Sequence, residues 1–208
     1  MVALQGSLFA AGDRTEPHTS TDTSERTDLG SGAWVDLQRN WMAGADLLFE
    51  RLAAVVPWRS ERRSMYDRVV DVPRLVAFYG SDDELPDPSL DVARRVLGER
   101  YRADAGCGFA SVGLCLYRDG RDSVAWHGDT IGRGATDDVV VAIVSLGAPR
   151  ILLLRPTGGG ATVRFRVGAG DLMVMGGSCQ RTWEHAVPKT ARPVGPRISM
   201  QFRPPGVR

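Results

Sequence analysis

Residues 139–155 read VVVAIVSLGAPRILLLR, the most apolar stretch of the chain. Pro149 and Arg150 interrupt it, so neither half approaches the ~20 apolar residues that a bilayer-spanning helix needs. Its β-branched residues and the Gly147–Arg150 break read instead as two short strands joined by a turn, Val139–Leu146 and Ile151–Arg155. The same signature recurs on both sides. Val112–Tyr117, Val124–Trp126, Thr162–Val167, Leu172–Met175 and Ile198–Phe202 are short apolar runs separated by Gly, Pro and Asp. Many short strands with turn signals predict a sandwich or barrel of about 100 residues.

Upstream the periodicity is helical. Asn40 can cap a helix from Trp41 to about Val55, with Leu47, Leu48, Leu52 and Val55 on one stripe and Pro57 as the stop. Asp87-Pro88 is an N-cap and first-turn signature, and Leu90, Ala93, Val96, Leu97 and Tyr101 then repeat at helical spacing to about Arg102. The fold class expected is α+β, mainly β, with the helices ahead of the β core. Residues 10–33 are rich in Thr, Ser, Asp, Glu and Gly, so 1–33 is expected to be a flexible tail and 34–208 the folded domain, with order beginning near Trp34.

Composition bounds the function. In 208 residues, Lys+Arg is 26 and Asp+Glu 25, a net charge of +1 that lacks the basic excess of a polybasic nucleic-acid binder. The average hides an asymmetry. Residues 81–91 carry five acids and no base, whereas 150–208 carry ten bases and two acids. The cationic segment, with Arg118 and Arg121, is expected to supply a modest phosphate footprint. Cys107, Cys115 and Cys179 form no CxxC pair, and Met1–Ala10 lacks the basic start of a signal peptide. The expectation is a cytoplasmic, monomeric protein with no membrane segment.

Two of the three histidines stand in Trp126-His127-Gly128-Asp129 and Trp183-Glu184-His185. In an extended segment residues two apart share a face, so His127 and Asp129 can point into one cavity. A third ligand from a distant strand would complete a two-His, one-carboxylate triad, which leaves open positions on the metal and suits non-haem Fe(II). An isolated HxD is also a common chance pattern. Arg197 and Arg203, six apart, share a face of one strand. If that face is inward, two buried guanidiniums call for an anion such as a dicarboxylate. If it is outward, they are surface residues, and the spacing alone does not choose.

Six motifs, in order, carry a resemblance: Tyr117-Arg118-Asp119-Gly120, Trp126-His127-Gly128-Asp129, Val144–Arg150, Gly170–Gly177, Trp183–Lys189 and Arg197–Arg203. Together they resemble the AlkB family of Fe(II)- and 2-oxoglutarate-dependent nucleic-acid dealkylases. Pro73-Arg74 and Phe78-Tyr79-Gly80 resemble its nucleotide-recognition region. The resemblance implies a double-stranded β-helix (jelly-roll) core with N-terminal supporting helices. It implies His127, Asp129 and His185 as iron ligands, Arg197 and Arg203 on 2-oxoglutarate, and Tyr117 hydrogen-bonded to it. The activity implied is oxidation of an N-alkyl group on a DNA or RNA base, in which 2-oxoglutarate and O2 give succinate and CO2 and the alkyl group leaves as aldehyde. The alternative is an Fe(II)/2-oxoglutarate oxygenase acting on a protein or small molecule.

The departures are specific. Thr130–Gly134 follow the HxD, where the family often places acids, and Asp137-Asp138 come later. Cys115 stands where the family often has Asn, and Ser81–Pro86 replace an aromatic hairpin. Tyr79 and Trp58 are candidates for stacking on the base, and Trp183, two residues before His185, for walling the pocket. Gln5-Gly6-Ser7-Leu8-Phe9 resembles the Gln-x-x-Leu-Phe peptides that dock on bacterial sliding clamps. In that reading Leu8 and Phe9 fill an apolar pocket, Gln5 bonds at its edge, and the tail tethers the enzyme near DNA.

Overall fold

The apolar stretch at 139–155 divides between two sheets, and the turn inside it is the corner where the chain crosses from one to the other. In the computed structural model, which describes residues 15–20, 24–65 and 68–207, the chain runs β1 (Ser24–Gly30), β2 (Ala33–Gln38), α1 (Ala45–Val55), β3 (Arg59–Met65), β4 (Arg68–Tyr79), α2 (Pro88–Arg100), α3 (Arg102–Ala105), β5 (Ser111–Tyr117), β6 (Val124–His127), β7 (Val141–Gly147), β8 (Arg150–Pro156), β9 (Val163–Val167), β10 (Leu172–Gly177), α4 (Cys179–Thr182), β11 (Trp183–Val187) and β12 (Arg197–Arg203). Eight strands form one sheet in the order β1-β2-β10-β7-β12-β5-β4-β3, and four form a second, β6-β11-β8-β9. All pairings are antiparallel. At the corner Gly147 has φ 77, and a Cβ there would stand 2.6 Å from the Pro196 carbonyl, so only glycine fits without strain.

Two apolar layers result. The outer face of the large sheet packs on the helices: Val112 and Leu114 of β5 and Ile198, Met200 and Phe202 of β12 join Leu48 and Leu52 of α1 and Leu90 and Leu97 of α2. The inner face meets the small sheet through Ile143, Met173, Met175, Leu152, Leu154 and Phe165. Central strands are therefore buried on both faces, which explains continuous apolar runs in place of alternation.

Two expectations are corrected. Order begins before Trp34, because β1 pairs with β2 as an edge strand. The Arg26 fork meets Asp36 at 2.7 and 2.8 Å and lies 3.7 Å over the Trp34 ring. Edge pairing and this bidentate contact replace the apolar burial that the composition lacks. The first helix begins at Ala45 rather than Trp41. Asn40 sits at φ 50, with its N–H on Asp171, and Trp41 and Met42 are buried in the turn ahead of Gly44. Asn tolerates that left-handed φ, and the helix starts only after a second left-handed residue, Gly44 at φ 63. Between the helices, for which the sequence predicted no element, Arg59–Met65 and Arg68–Tyr79 pair as the ribbon β3–β4. Its register slips between Ser60 and Arg62, opposite Pro73, which has no N–H to give a ladder. Asp87 does cap α2, accepting from the Ser89 N–H at 3.0 Å. Residues 1–14, with Gln5, Leu8 and Phe9, lie outside the described residues.

Candidate metal centre

His127 is the last residue of β6 and pairs directly with His185 of β11, so the two imidazoles face each other across one strand pair with centroids 4.2 Å apart. The His127 Nδ1 lies 2.8 Å from the Ala125 carbonyl, which fixes the ring and leaves Nε2 directed at Asp129 Oδ1, 4.0 Å away. Asp129 sits in the loop after the strand. Its backbone N–H donates to Gln180 Oε1 at 2.9 Å, and Gly128 runs so close to α4 that a Cβ would stand 2.5 Å from the Gln180 carbonyl. One ligand atom from each of His127, Asp129 and His185 lies within 4.8 Å of the others.

The electrostatics hold this set ready for a cation. Burial would raise the Asp129 carboxyl, but Arg203, which donates Nε to Oδ2 at 2.8 Å, and the two histidines keep it below its ordinary value. Oδ1 is left for a metal. Burial, with His127 beside it, pulls His185 down to about 3, so the ring is a neutral lone-pair donor. Two imidazoles and a carboxylate converging on one point match the donor set of a facial triad. The residues present fit a divalent iron.

Beside the triad, a narrow cavity reaches between the sheets, with Arg74, Cys115, Tyr117, Arg197 and Ser199 among its walls. This decides the open question about β12: its arginines face inward, while Ile198, Met200 and Phe202 pack on the helices. Arg197 is 1% exposed. Its Nη2 donates to Ser145 Oγ at 2.8 Å, while Nε and Nη1 are buried with no hydrogen-bond partner. Burial depresses the guanidinium below its ordinary value. A buried guanidinium with unpaired N–H groups fits a carboxylate. The Tyr117 ring lies 5.2 Å from the Arg197 guanidinium carbon, and its hydroxyl is pushed up to about 12 by burial, so it stays a neutral hydrogen-bonding group. Arg203 serves Asp129 directly, and its reach crosses Gly113, where a Cβ would stand 2.9 Å from Nη1.

The aromatic candidates separate. Trp183 shares the inward face with His185 and packs against the inter-sheet cluster. Tyr79 and Trp58 are corrected: both pack on the outer, helix-covered cluster, Tyr79 with its hydroxyl buried and Trp58 with Nε1 on the Ala53 carbonyl at 3.3 Å. Within the same Phe78-Tyr79-Gly80 motif, the residue on the site's side is Phe78. It pairs with Gly113 on β5, which puts it on the inward face with Cys115 and Tyr117, and it is 55% exposed. The strand partners carry the signal. Leu75, Ala77 and Tyr79 match the helix-facing Leu116, Leu114 and Val112, which leaves Phe78 for the other side. Asp137 and Asp138 do not reach the metal side, being paired with Arg133 and Arg181. The cationic surface is thinner than counted. Arg150 is buried on the carbonyls of Asp119, Asp122 and Pro188, Arg118 and Arg121 pair with Asp122 and Asp119, and Arg155 pairs with Glu184.

Comparison with known proteins agrees with this geometry. The profile of the 2OG-Fe(II) oxygenase superfamily matches residues 43–203. The chain is 32% identical over 181 residues to the alpha-ketoglutarate-dependent dioxygenase alkB homolog 3 of Homo sapiens, covering 76% of this chain and 61% of that protein. It is 26% identical over 236 residues to the DNA oxidative demethylase ALKBH2 of Arabidopsis thaliana, covering 90% and 71%. The chain thus spans about three fifths of the length of the alkB homolog 3 proteins it matches. Among solved structures it resembles OsALKBH1, with a TM-score of 0.62 at 13% identity over 86% of this chain and all of that one. A prolyl hydroxylase from Trichoplax adhaerens gives a TM-score of 0.56 at 13% identity, over 81% and 83%. These two share the jelly-roll fold.

Proposed function

The chain belongs to the 2OG-Fe(II) oxygenase superfamily, and on that premise we propose that it is an AlkB-type member that removes N-alkyl groups from nucleic-acid bases by oxidation. The single observation that carries the reading is the convergence of His127, Asp129 and His185 beside a cavity where the buried Arg197 has two guanidinium nitrogens without partners. His127, Asp129 and His185 would hold Fe(II), which with 2-oxoglutarate and O2 supplies the oxidising chemistry. Arg197 takes a carboxylate of 2-oxoglutarate, anchored from behind by Ser145, while the neutral Tyr117 hydroxyl bonds the same ligand. Arg203 fixes the Asp129 rotamer and keeps it ionised.

The target base must leave its stack to reach the metal. Phe78 is an exposed, planar apolar surface on the inward face of the sheet and is placed to stack on it. That exposure supports a base over a protein side chain as substrate, because a stack needs a flat partner. DNA is the preferred polymer, with RNA as the second. Three free cysteines suit a reducing compartment, the cytoplasm, and the enzyme acts as a monomer. The Gln5, Leu8 and Phe9 peptide is proposed to dock on a sliding clamp, raising the local concentration of the enzyme at DNA and offsetting its sparse cationic surface. Titration of a peptide of residues 1–12 against the clamp tests this, and no binding rejects it.

The reaction is tested by incubating the chain with Fe(II), 2-oxoglutarate and a panel of methylated oligonucleotides, reading succinate and the restored base together. Restoration of the base supports the reading. Succinate stimulated only by a protein or small molecule replaces it with the alternative oxygenase.

A further inference from the structure

Cys115 belongs to neither the metal set nor the stacking surface, yet it lines the cavity. It lies on the inward face of β5, opposite Ser199, and so diagonal to Arg197, whose partner is Tyr117. Diagonal neighbours in an antiparallel pair lie roughly 7–8 Å apart between Cα atoms. Arg74 donates Nε to its Sγ at 3.4 Å, and Sγ lies 3.7 Å from Gln201 Oε1. The cavity therefore places a nucleophile one side chain away from a buried guanidinium whose Nε and Nη1 have no partner.

We propose that Cys115 is a covalent modification site for unsaturated four-carbon dicarboxylates, of which fumarate is the simplest. One carboxylate pairs with Arg197, and Cys115 Sγ adds to the alkene. The S–C bond forms as the C=C π bond opens, the thiol proton ends on the neighbouring carbon, and no oxidant or reductant is needed. The product is a succinyl thioether that fills the place of 2-oxoglutarate and closes the site. The inference rests on the reading of this cavity as the cosubstrate site. The other cysteines are internal references. Cys107 is also half-buried but lies outside the cavity, near Arg133, and Cys179 is buried, with its thiol pushed up to about 12.

The test is to incubate the full chain with fumarate, with and without 2-oxoglutarate, and to follow intact mass and the modified peptide. The expected result is a single adduct on Cys115, formed at least about tenfold faster than on Cys107 and suppressed by 2-oxoglutarate. Acrylamide, an electrophile with no carboxylate, should show no such preference. Cys115→Ser removes the adduct, and Arg197→Gln removes the preference for fumarate. Equal labelling of Cys107 and Cys115 by fumarate overturns the proposal. So does unprotected labelling of Cys115 when calorimetry shows that 2-oxoglutarate binds, and the cosubstrate reading then survives. If calorimetry shows no 2-oxoglutarate binding to the Mn(II)-loaded chain, the cosubstrate reading itself fails and the proposal falls with it.

Discussion

β12 has two faces, and they do different jobs. On one, Ile198, Met200 and Phe202 are fully buried against the helices. On the other, Arg197, Ser199, Gln201 and Arg203 line the space between the sheets, with two guanidinium nitrogens of Arg197 left unpaired. β5 repeats the pattern, with Val112 and Leu114 outward and Gly113, Cys115 and Tyr117 inward. The outer face supplies stability through apolar burial. The inner face gives some of it up, because buried polar groups without partners cost free energy until a ligand meets them. The helices are what allow this, since they give β12 and β5 a full apolar core on one side while their inward side is polar.

The largest expected effect is on the inner face. Asp129→Ala or His127→Ala should lower turnover by at least about a hundredfold, read as succinate formation, while the fold persists by circular dichroism. Retained activity in either variant would break the metal assignment and with it the contrast between the faces. Next, Met200→Ala on the outer face should cost about 2–5 kcal/mol in denaturant unfolding and leave turnover per folded molecule unchanged. A loss of catalysis without a loss of stability there would erase the distinction. Phe78→Ala should leave the melting temperature unchanged and weaken substrate binding by about 1–3 kcal/mol, seen as a raised KM on oligonucleotides.

The dependence on pH sharpens the inner face further. His185 is pulled down to about 3 in the folded chain, whereas the unfolded residue titrates near its ordinary value of about 6.5. Between those values the unfolded state binds the extra proton, so the metal-free chain should lose stability as pH falls from about 6.5. Asp129, held low, adds a loss only as pH falls below about 4. His185→Gln should flatten the upper part of this slope in thermal melts, and an unchanged slope would show that His185 is not the group responsible.

Much of this arrangement was legible in the residues, for definable reasons. The β core showed itself because strands buried on both faces leave continuous apolar runs, as at Val141–Leu146. The Asp87 cap is local chemistry and needed no tertiary knowledge. The edge strand β1 was not legible, because its support comes from pairing with β2 and from Arg26 on Asp36 rather than from its own apolar residues. The inward direction of Arg197 could not be read from a six-residue spacing, since both alternating faces of β12 are covered. Choosing Phe78 over Tyr79 needed the register with Gly113, a non-local fact. Arg203 presented itself as a second carboxylate grip, but its position on Asp129 follows from the gap left by Gly113, which lies on another strand.

The central claim is that this site couples 2-oxoglutarate turnover to removal of an alkyl group from a base. It is tested most directly by counting succinate and released aldehyde in one reaction with an N-methylated DNA oligonucleotide. The account predicts that the two appear together in equal amounts and that both vanish in Asp129→Ala. Succinate without aldehyde, or neither product from a chain that binds metal and 2-oxoglutarate, would contradict it.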